Sequence, residues 1–213
     1  MKINYYLIRH GECESNKNYD IISGRNSLNP LTINGKAQSY RLFEAFSKCD
    51  LRFHYKCSST AIRAIDTACM VFGYGNSFKQ FESLEELSQG DAEGKNRKDV
   101  YTKEVLAKIR SNALDFRNPN GESLRELRKR AKRTIDYISE TVYYSSSLAE
   151  EVNVGIVSHG YVIKALFGMM LDWSPYYTYF MDIDNCSVSK FTLSTTSGET
   201  RVNYINRMYN VQF

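Results

Sequence analysis

Two short apolar runs, each ending in a polar residue, a histidine and a glycine, constrain this chain more than any other feature. Ile3 to Ile8 leads into Arg9-His10-Gly11, and Val152 to Val157 leads into Ser158-His159-Gly160. Apolar runs of this length bounded by polar residues read as strands, the second as one buried in a sheet covered by helices. The intervening sequence keeps that alternation. Thr32 to Lys48 carries Ile33, Ala37, Tyr40, Phe43 and Phe46 at helical spacing. Phe53 to Cys57 reads as a second strand, and any of Ser58, Ser59 and Thr60 can cap the helix that follows to about Phe72 and stops at Gly73. Ser123-Leu124-Arg125-Glu126 is a capping box opening a long helix to about Tyr143, with an apolar stripe from Leu124 to Val142. Tyr161 to Leu171 is apolar almost all round and should be an interior helix. Asn185 to Leu193 and Arg201 to Asn206 flank a turn-prone Thr195 to Gly198 and suggest a closing hairpin. Glu82 to Lys98 is polar, punctuated by Gly90 and Gly94, and reads as loop. The expected fold is α/β, a three-layer sandwich with a mainly parallel central sheet and a binding crevice at the strands' carboxyl ends.

The 213 residues suit a single domain over 1–213, with a flap or insertion around 91–122 covering the crevice. The longest apolar stretch, Tyr161 to Trp173, is interrupted by Lys164 and Asp172 and is too short to span a bilayer. No signal-peptide pattern precedes Arg9-His10, and Cys13, Cys49, Cys57, Cys69 and Cys186 include no Cys-x-x-Cys pair. These features point to free thiols, no membrane and a cytoplasmic location. The formal charge is +4, but Arg125 to Arg133 alone holds six basic residues and one acidic. Without that segment the chain has 22 basic against 23 acidic residues, so charge argues against a nucleic-acid partner. At 100° per residue the six fall mainly opposite the apolar stripe, as on a solvated helix face.

Three strand ends carry polar groups suited to catalysis: Arg9-His10, Ser58 to Arg63, and Ser158-His159. An imidazole beside Arg9, with Arg63 arriving from a neighbouring strand end, sits in a positive field that favours an anion and disfavours its own protonation. That is a neutral nucleophile facing a phosphate. Phosphoryl transfer asks for cations over the equatorial oxygens, an in-line nucleophile and an acid for the departing oxygen. His54, within a predicted strand, is read as structural. Gly90 to Asn96 lacks the spacing and the Ser or Thr of a Walker A loop. His10-Gly11-Glu12 and Asp182-Ile183-Asp184 are isolated pairs far apart in the sequence rather than a cluster of ligands, so neither metal nor other cofactor is expected.

From about residue 5 to residue 190 the sequence resembles the histidine phosphatase superfamily, in its branch of phosphoglycerate-mutase-like phosphatases. The resemblance rests on an ordered set of segments. Leu7-Ile8-Arg9-His10-Gly11-Glu12 and Asn16 come first, followed by Gly24-Arg25, Pro30-Leu31-Thr32 and Gly35. Ser58 to Ala64 with Thr67-Ala68, then Leu84-Glu85-Glu86-Leu87 with Gly90-Asp91 and Glu93-Gly94, continue it, and Gly121-Glu122-Ser123 and Ser158-His159-Gly160 complete it. It implies a phosphoglycerate-mutase-like fold, His10 as nucleophile, and Arg9, Arg63 and His159 as ligands of the transferred phosphoryl group. Glu86 becomes general acid and later base, and Asn16 a further phosphate contact. Glu85 competes for the acid role, although the register Leu-x-Glu followed four residues on by Gly90 favours Glu86.

The sequence departs from the family at Cys13, where a hydroxyl residue is usual, and at Ala92, where phosphatase members often have tryptophan. A thiol donates a weaker hydrogen bond, so any bracing contact from Cys13 should be weakened; a redox-sensitive thiol is the other reading. The expected function is a metal-independent phosphatase acting on a small phosphorylated metabolite through phosphohistidine. A phosphoglycerate mutase of the same fold and a non-catalytic phosphate- or phosphoprotein-binding module are the rivals, and a homodimer stays open. Gly94 to Asn120 carries Arg97, Lys98, Arg110 and Arg117 singly and no proline run, which favours phosphatase over mutase. Lys95, Arg97 and Lys98 lie in the loop expected to cover the site, where they would meet a second acidic group.

Overall fold

The computed structural model describes residues 1–146 and 149–209. Its elements in chain order are β1 (Lys2–Arg9), α1 (Glu14–Lys17), α2 (Ile33–Lys48), β2 (Tyr55–Ser59), α3 (Ile62–Val71), β3 (Lys79–Phe81), α4 (Arg97–Val100), α5 (Lys103–Ser111), α6 (Leu124–Ser145), β4 (Glu151–Ser158), α7 (Gly160–Met170), β5 (Val188–Ser194) and β6 (Thr200–Arg207). Three 3₁₀ turns, at Glu82–Leu84, Gly90–Ala92 and Pro175–Tyr179, complete them. The strands form one sheet in the order β3-β2-β4-β1-β5-β6. β1 and β2 both run parallel to β4, and β3 runs parallel to β2, whereas β5 is antiparallel to β1 and to β6.

The period of two along β1 builds both outer layers. Ile3, Tyr5 and Leu7 pack with Leu124, Leu127 and Ile138 of α6 and Val162, Leu166 and Phe167 of α7. Tyr6 and Ile8 point to the opposite face, where they join Leu42 and Phe46 of α2 and Ala64, Ala68 and Val71 of α3. Each such buried side chain stabilises the fold by about 1.5–3 kcal/mol, so a one-residue slip of β1 would exchange the two sets and forfeit several of them. The sandwich expected from the sequence is therefore present, with a mainly parallel sheet.

Local corrections have physical causes. β2 begins at Tyr55 rather than Phe53, and Ser58 and Ser59 belong to it, so neither caps α3. The helix is preceded by Ala61 with no side-chain cap bond, while Ser59 Oγ accepts from Ala61 N at 3.2 Å. β3 has only three residues and escaped the sequence pattern. The Glu82 to Lys98 stretch holds two 3₁₀ turns and the start of α4, each only three or four residues long and too brief to show periodicity. His54 is exposed, its Nδ1 accepting from Asn153 N at 3.0 Å, in keeping with a structural role. The basic run is not wholly a solvated face: Arg125, Lys129, Lys132 and Arg133 are exposed, but Arg128 and Arg130 are half-buried.

Gly11 and Gly35 let the segment after β1 close against the first turn of α2. A Cβ on Gly11 would stand 2.5 Å from the Gly35 carbonyl oxygen, and one on Gly35 would overlap the Glu12 carbonyl. That carbonyl accepts from Thr32 N at 2.9 Å, and the Thr32 side chain caps α2 by accepting from Gly35 N. Alanine in a free helix would be favoured over glycine by up to ~1 kcal/mol, whereas overpacking costs about 1–3 kcal/mol. Gly35→Ala is accordingly expected to lower the urea midpoint despite its better helix propensity. A variant as stable as the parent in equilibrium unfolding would show that this close approach does not matter.

Candidate active site

β1, β2 and β4 end side by side and deliver Arg9, Ser59 and Ser158 to one edge of the sheet, where His10 and His159 follow directly. A cleft of about 420 Å³ opens there, lined by Arg9, His10, Asn16, Arg63 and Glu86, with Arg97, Tyr161 and Lys164 on its outer walls. His159 is fully buried behind them, its ring edge-on to His10 with centroids 5.0 Å apart.

The protonation of His10 follows from its neighbours. Its Nδ1 lies 2.8 Å from the Gly11 carbonyl oxygen. A carbonyl can only accept, so Nδ1 carries the hydrogen and Nε2 keeps the lone pair. Arg63 Nε donates to that lone pair at 3.2 Å. Burial, then Arg63 and Arg9, hold the His10 pKa well below the usual imidazole range. The sequence argument supplied the arginine field; burial is the larger cause. His159 is likewise depressed, by burial first and then by Arg63.

The cations are positioned by neutral acceptors. Arg63 gives Nη1 to the Asn26 carbonyl and Nη2 to the Gly24 carbonyl, the latter at 3.4 Å. Arg9 Nη1 donates to the Ile183 carbonyl, while its Nε is buried with no partner. His159 Nε2 bonds Ser59 Oγ at 2.8 Å and its Nδ1 is also buried without a partner. Asn16 Oδ1 accepts from Cys13 N and from the Cys13 thiol, both at 3.1 Å, and from Asn185 Nδ2 at 3.2 Å. Cys13 thus makes the bracing contact that a hydroxyl residue would make. Asn185 Nδ2 also donates to the His10 carbonyl at 3.0 Å.

Glu86 is held at both ends. Its Oε1 accepts from Leu87 N at 2.9 Å and from Tyr161 N, in the first turn of α7, at 3.1 Å. A helix N-terminus is a favourable seat for a carboxylate. Its main-chain carbonyl accepts from Arg25 Nε and Arg130 Nη2, each at 3.0 Å. Glu122 joins these two guanidiniums, with Oε1 2.6 Å from Arg130 Nε and Oε2 3.1 Å from Arg25 Nη2. Glu85 points elsewhere, accepting from Thr60 Oγ1 at 2.7 Å, and does not line the cleft. Gly160 leaves the middle open: a Cβ there would lie 3.8 Å from Arg9 Nε and 3.9 Å from Glu86 Oε2.

The structure thus brings Arg9, His10, Asn16, Arg63, Glu86 and His159 together. Sequence reasoning missed the part played by Arg130, hidden in the basic run, and by Asn185. It also passed over Lys164, the lone charge in an apolar helix, whose Nζ donates to the Met181 carbonyl at 3.1 Å. Burial pulls that lysine down to about 8. Of the three loop cations, Arg97 lines the cleft, stacked 5.0 Å over Tyr19, whereas Lys95 and Lys98 do not.

Comparison with known proteins places the chain among phosphatases and phosphoglycerate-mutase-like proteins by sequence and fold. The chain is 29% identical over 167 residues to the fructose-2,6-bisphosphatase TIGAR of Xenopus tropicalis, covering 76% of this chain and 59% of that protein. The Xenopus laevis counterpart is covered to 54%, so the chain spans little more than half the length of these two relatives. It is 26% identical to a putative phosphoserine phosphatase 2 of Hydrogenobacter thermophilus over 95% of both chains. Among solved structures, the phosphoserine phosphatase of Entamoeba histolytica superposes with a TM-score of 0.79 at 22% identity, covering 97% of this chain and 98% of that one. The sequence pattern of the histidine phosphatase superfamily (branch 1) matches residues 5–207, and the chain belongs to that family.

Proposed function

We propose that the chain is a phosphomonoesterase that works through a phosphohistidine on His10. The observation that carries this reading is the His10 imidazole, whose Nδ1 hydrogen is fixed on the Gly11 carbonyl while Nε2 faces the arginines. Nε2 attacks phosphorus and the bond to the leaving oxygen breaks. Arg9 and Arg63, joined by Asn16 and His159, stabilise the equatorial oxygens. Protonated Glu86 gives its hydrogen to the departing oxygen. As a carboxylate it then takes a proton from water, whose oxygen attacks phosphorus and releases inorganic phosphate, restoring His10.

The substrate is read as a small phosphorylated metabolite, since relatives are named for a sugar bisphosphate and for phosphoserine. The segment around 91–122 is read as the cover of the cleft, on the support of Arg97. No helix among the described residues is long and apolar enough to cross a membrane. Cys13, Cys49, Cys57, Cys69 and Cys186 are free thiols, which supports a cytoplasmic location.

Brief incubation with labelled substrate should leave an acid-labile, base-stable label on His10, undiminished by a chelator. His10→Ala should lose label and turnover together. Label on another residue would sink the assignment, and efficient interconversion of 2- and 3-phosphoglycerate with little phosphate release would favour the mutase. Glu86→Gln is expected to slow the single-turnover burst by ~100 to 10,000-fold for glycerol phosphate, whose alkoxide needs the proton. The loss should be far smaller for p-nitrophenyl phosphate. Glu85→Gln should show no such selectivity, and a reversal of the two variants would move the acid role to Glu85.

Burial of neutral histidines also sets a pH dependence of stability. Both folded-state pKa values lie below the unfolded value, so the unfolded chain binds more protons as pH falls through the ordinary imidazole value of 6.5. Stability is fully present above that value and is lost below it, by up to about 1.4 kcal/mol per pH unit for each histidine. Urea unfolding between pH 5 and 7 should therefore be steeper in pH for the parent than for His159→Asn. Parallel curves would contradict the depression of His159.

A further inference from the structure

A second concavity, of about 470 Å³, lies over the Arg25–Glu122–Arg130 clamp rather than at the cleft. Its walls add Arg117, Lys129 and Arg133, giving five cations against Glu122 and Glu126. Most cations of the basic run have other engagements. Arg125 pairs with Asp115, Lys132 with Asp136 at 2.6 Å, and Arg130 with Glu122 at 2.6 Å. Arg128 is half-buried. Arg117 is paired with Glu126 at 3.1 Å. Lys129 and Arg133 have no ion pair among the described residues, and both line the concavity. They stand one turn apart on α6, where like charges at i and i+4 destabilise a helix by a few tenths of a kcal/mol. The sequence thus keeps two uncompensated cations together where they adjoin a third and a fourth.

We propose that this concavity is a binding site for a small phosphate-bearing polyanion, and that its occupation loosens the acid of the neighbouring cleft. The size suits a metabolite. The coupling has a physical route: Arg130 Nη2 divides its donation between Glu122 Oε2, at 2.8 Å, and the Glu86 carbonyl, at 3.0 Å. Arg25 makes the same pair of contacts from the other side. An anion seated on Lys129 and Arg133 competes with Glu122 for these guanidiniums and draws them from the Glu86 main chain. The binding stands whatever Glu86 does; the kinetic effect rests on the reading of Glu86 as general acid.

Methylenebisphosphonate, whose P–C–P bridge resists hydrolysis, is the probe, used at constant ionic strength because surface charge is screened by salt. Calorimetric titration is expected to count two sites in the parent and in His10→Ala, and one in the double variant K129Q/R133Q. Because His10→Ala has no covalent route, its titration reads the second site independently of turnover. In steady state the probe should raise KM by competing in the cleft. It should also lower kcat for glycerol phosphate about fivefold at saturation, a modest coupling between sites, with a much smaller effect on p-nitrophenyl phosphate. Within K129Q/R133Q only the rise in KM should remain, and K129R/R133K should restore the fall in kcat. A single site in the parent, a fall in kcat that persists in K129Q/R133Q, or a second site that takes up polynucleotide but not the probe would each overturn the proposal.

Discussion

Two guanidiniums buried without a carboxylate against them set the terms for the rest of the structure. Every hydrogen-bond acceptor found for Arg9 and Arg63 among the described residues is uncharged: three carbonyls and the His10 imidazole. Isolated buried charge is costly, by several kcal/mol per ion even after relaxation. The fold sustains it because β1, β2 and β4 are clamped between two helical layers and the carbonyls supply partial compensation. What remains is an unneutralised positive field at one sheet edge, with Arg9 Nε and His159 Nδ1 lacking partners. That field is what a dianion would meet, and it adds to burial in keeping the two imidazoles uncharged.

Glu86, the proposed acid, has to be placed without cancelling that field. Glu86 carries a carboxylate near Arg9, and a loose one would fold onto the guanidinium and neutralise it. Instead, two main-chain N–H groups hold its carboxylate and two arginines hold its carbonyl. Those arginines are both paired with Glu122, half-buried on the side away from the cleft, and Arg25 also lies 3.9 Å from Glu85. The clamp therefore uses charge to fix a neutral carbonyl, and Arg130 also adds to the positive field that lowers the His159 pKa. It explains why Arg130 is half-buried although Lys129, Lys132 and Arg133 are exposed.

Much of this was legible in the sequence, and the limits are physical. His10, Arg9, Arg63 and His159 stood out because the end of a buried strand is a poor place for polar residues unless they do something. The alternation of β1 and the capping box at Ser123 placed the layers, since each rests on a local rule that tertiary contacts reinforce. Arg130 was illegible because five other basic residues surround it and helical phase alone does not reveal a partner 44 or 47 residues away, at Glu86 and Ser83. Ser58 and Ser59 were misread as caps because a buried strand was not expected to end in two hydroxyls. Ser58 Oγ donates to the Ser59 carbonyl, and Ser59 Oγ meets the His159 ring beyond the end of β4. β3 is simply too short to carry a pattern.

The choice of amides around His10 follows from the same electrostatics. Asn185 bridges the His10 carbonyl and Asn16, and Asn16 gathers the Cys13 backbone and thiol. Aspartate at 185 would have no N–H to donate to the His10 carbonyl, whereas aspartate at 16 would accept the N–H groups at least as well, and charge-assisted hydrogen bonds are the stronger kind. It would also set a negative charge beside Arg9 and His10, raising the imidazole pKa and repelling an incoming phosphate. Glu12 carries such a charge only two residues from His10, and its carboxylate is turned away, bound by Thr32 and Asn34. Weaker neutral bonds are thus the arrangement that keeps His10 both fixed and uncharged, and the thiol of Cys13 fits that pattern because bracing Asn16 requires a donor without charge.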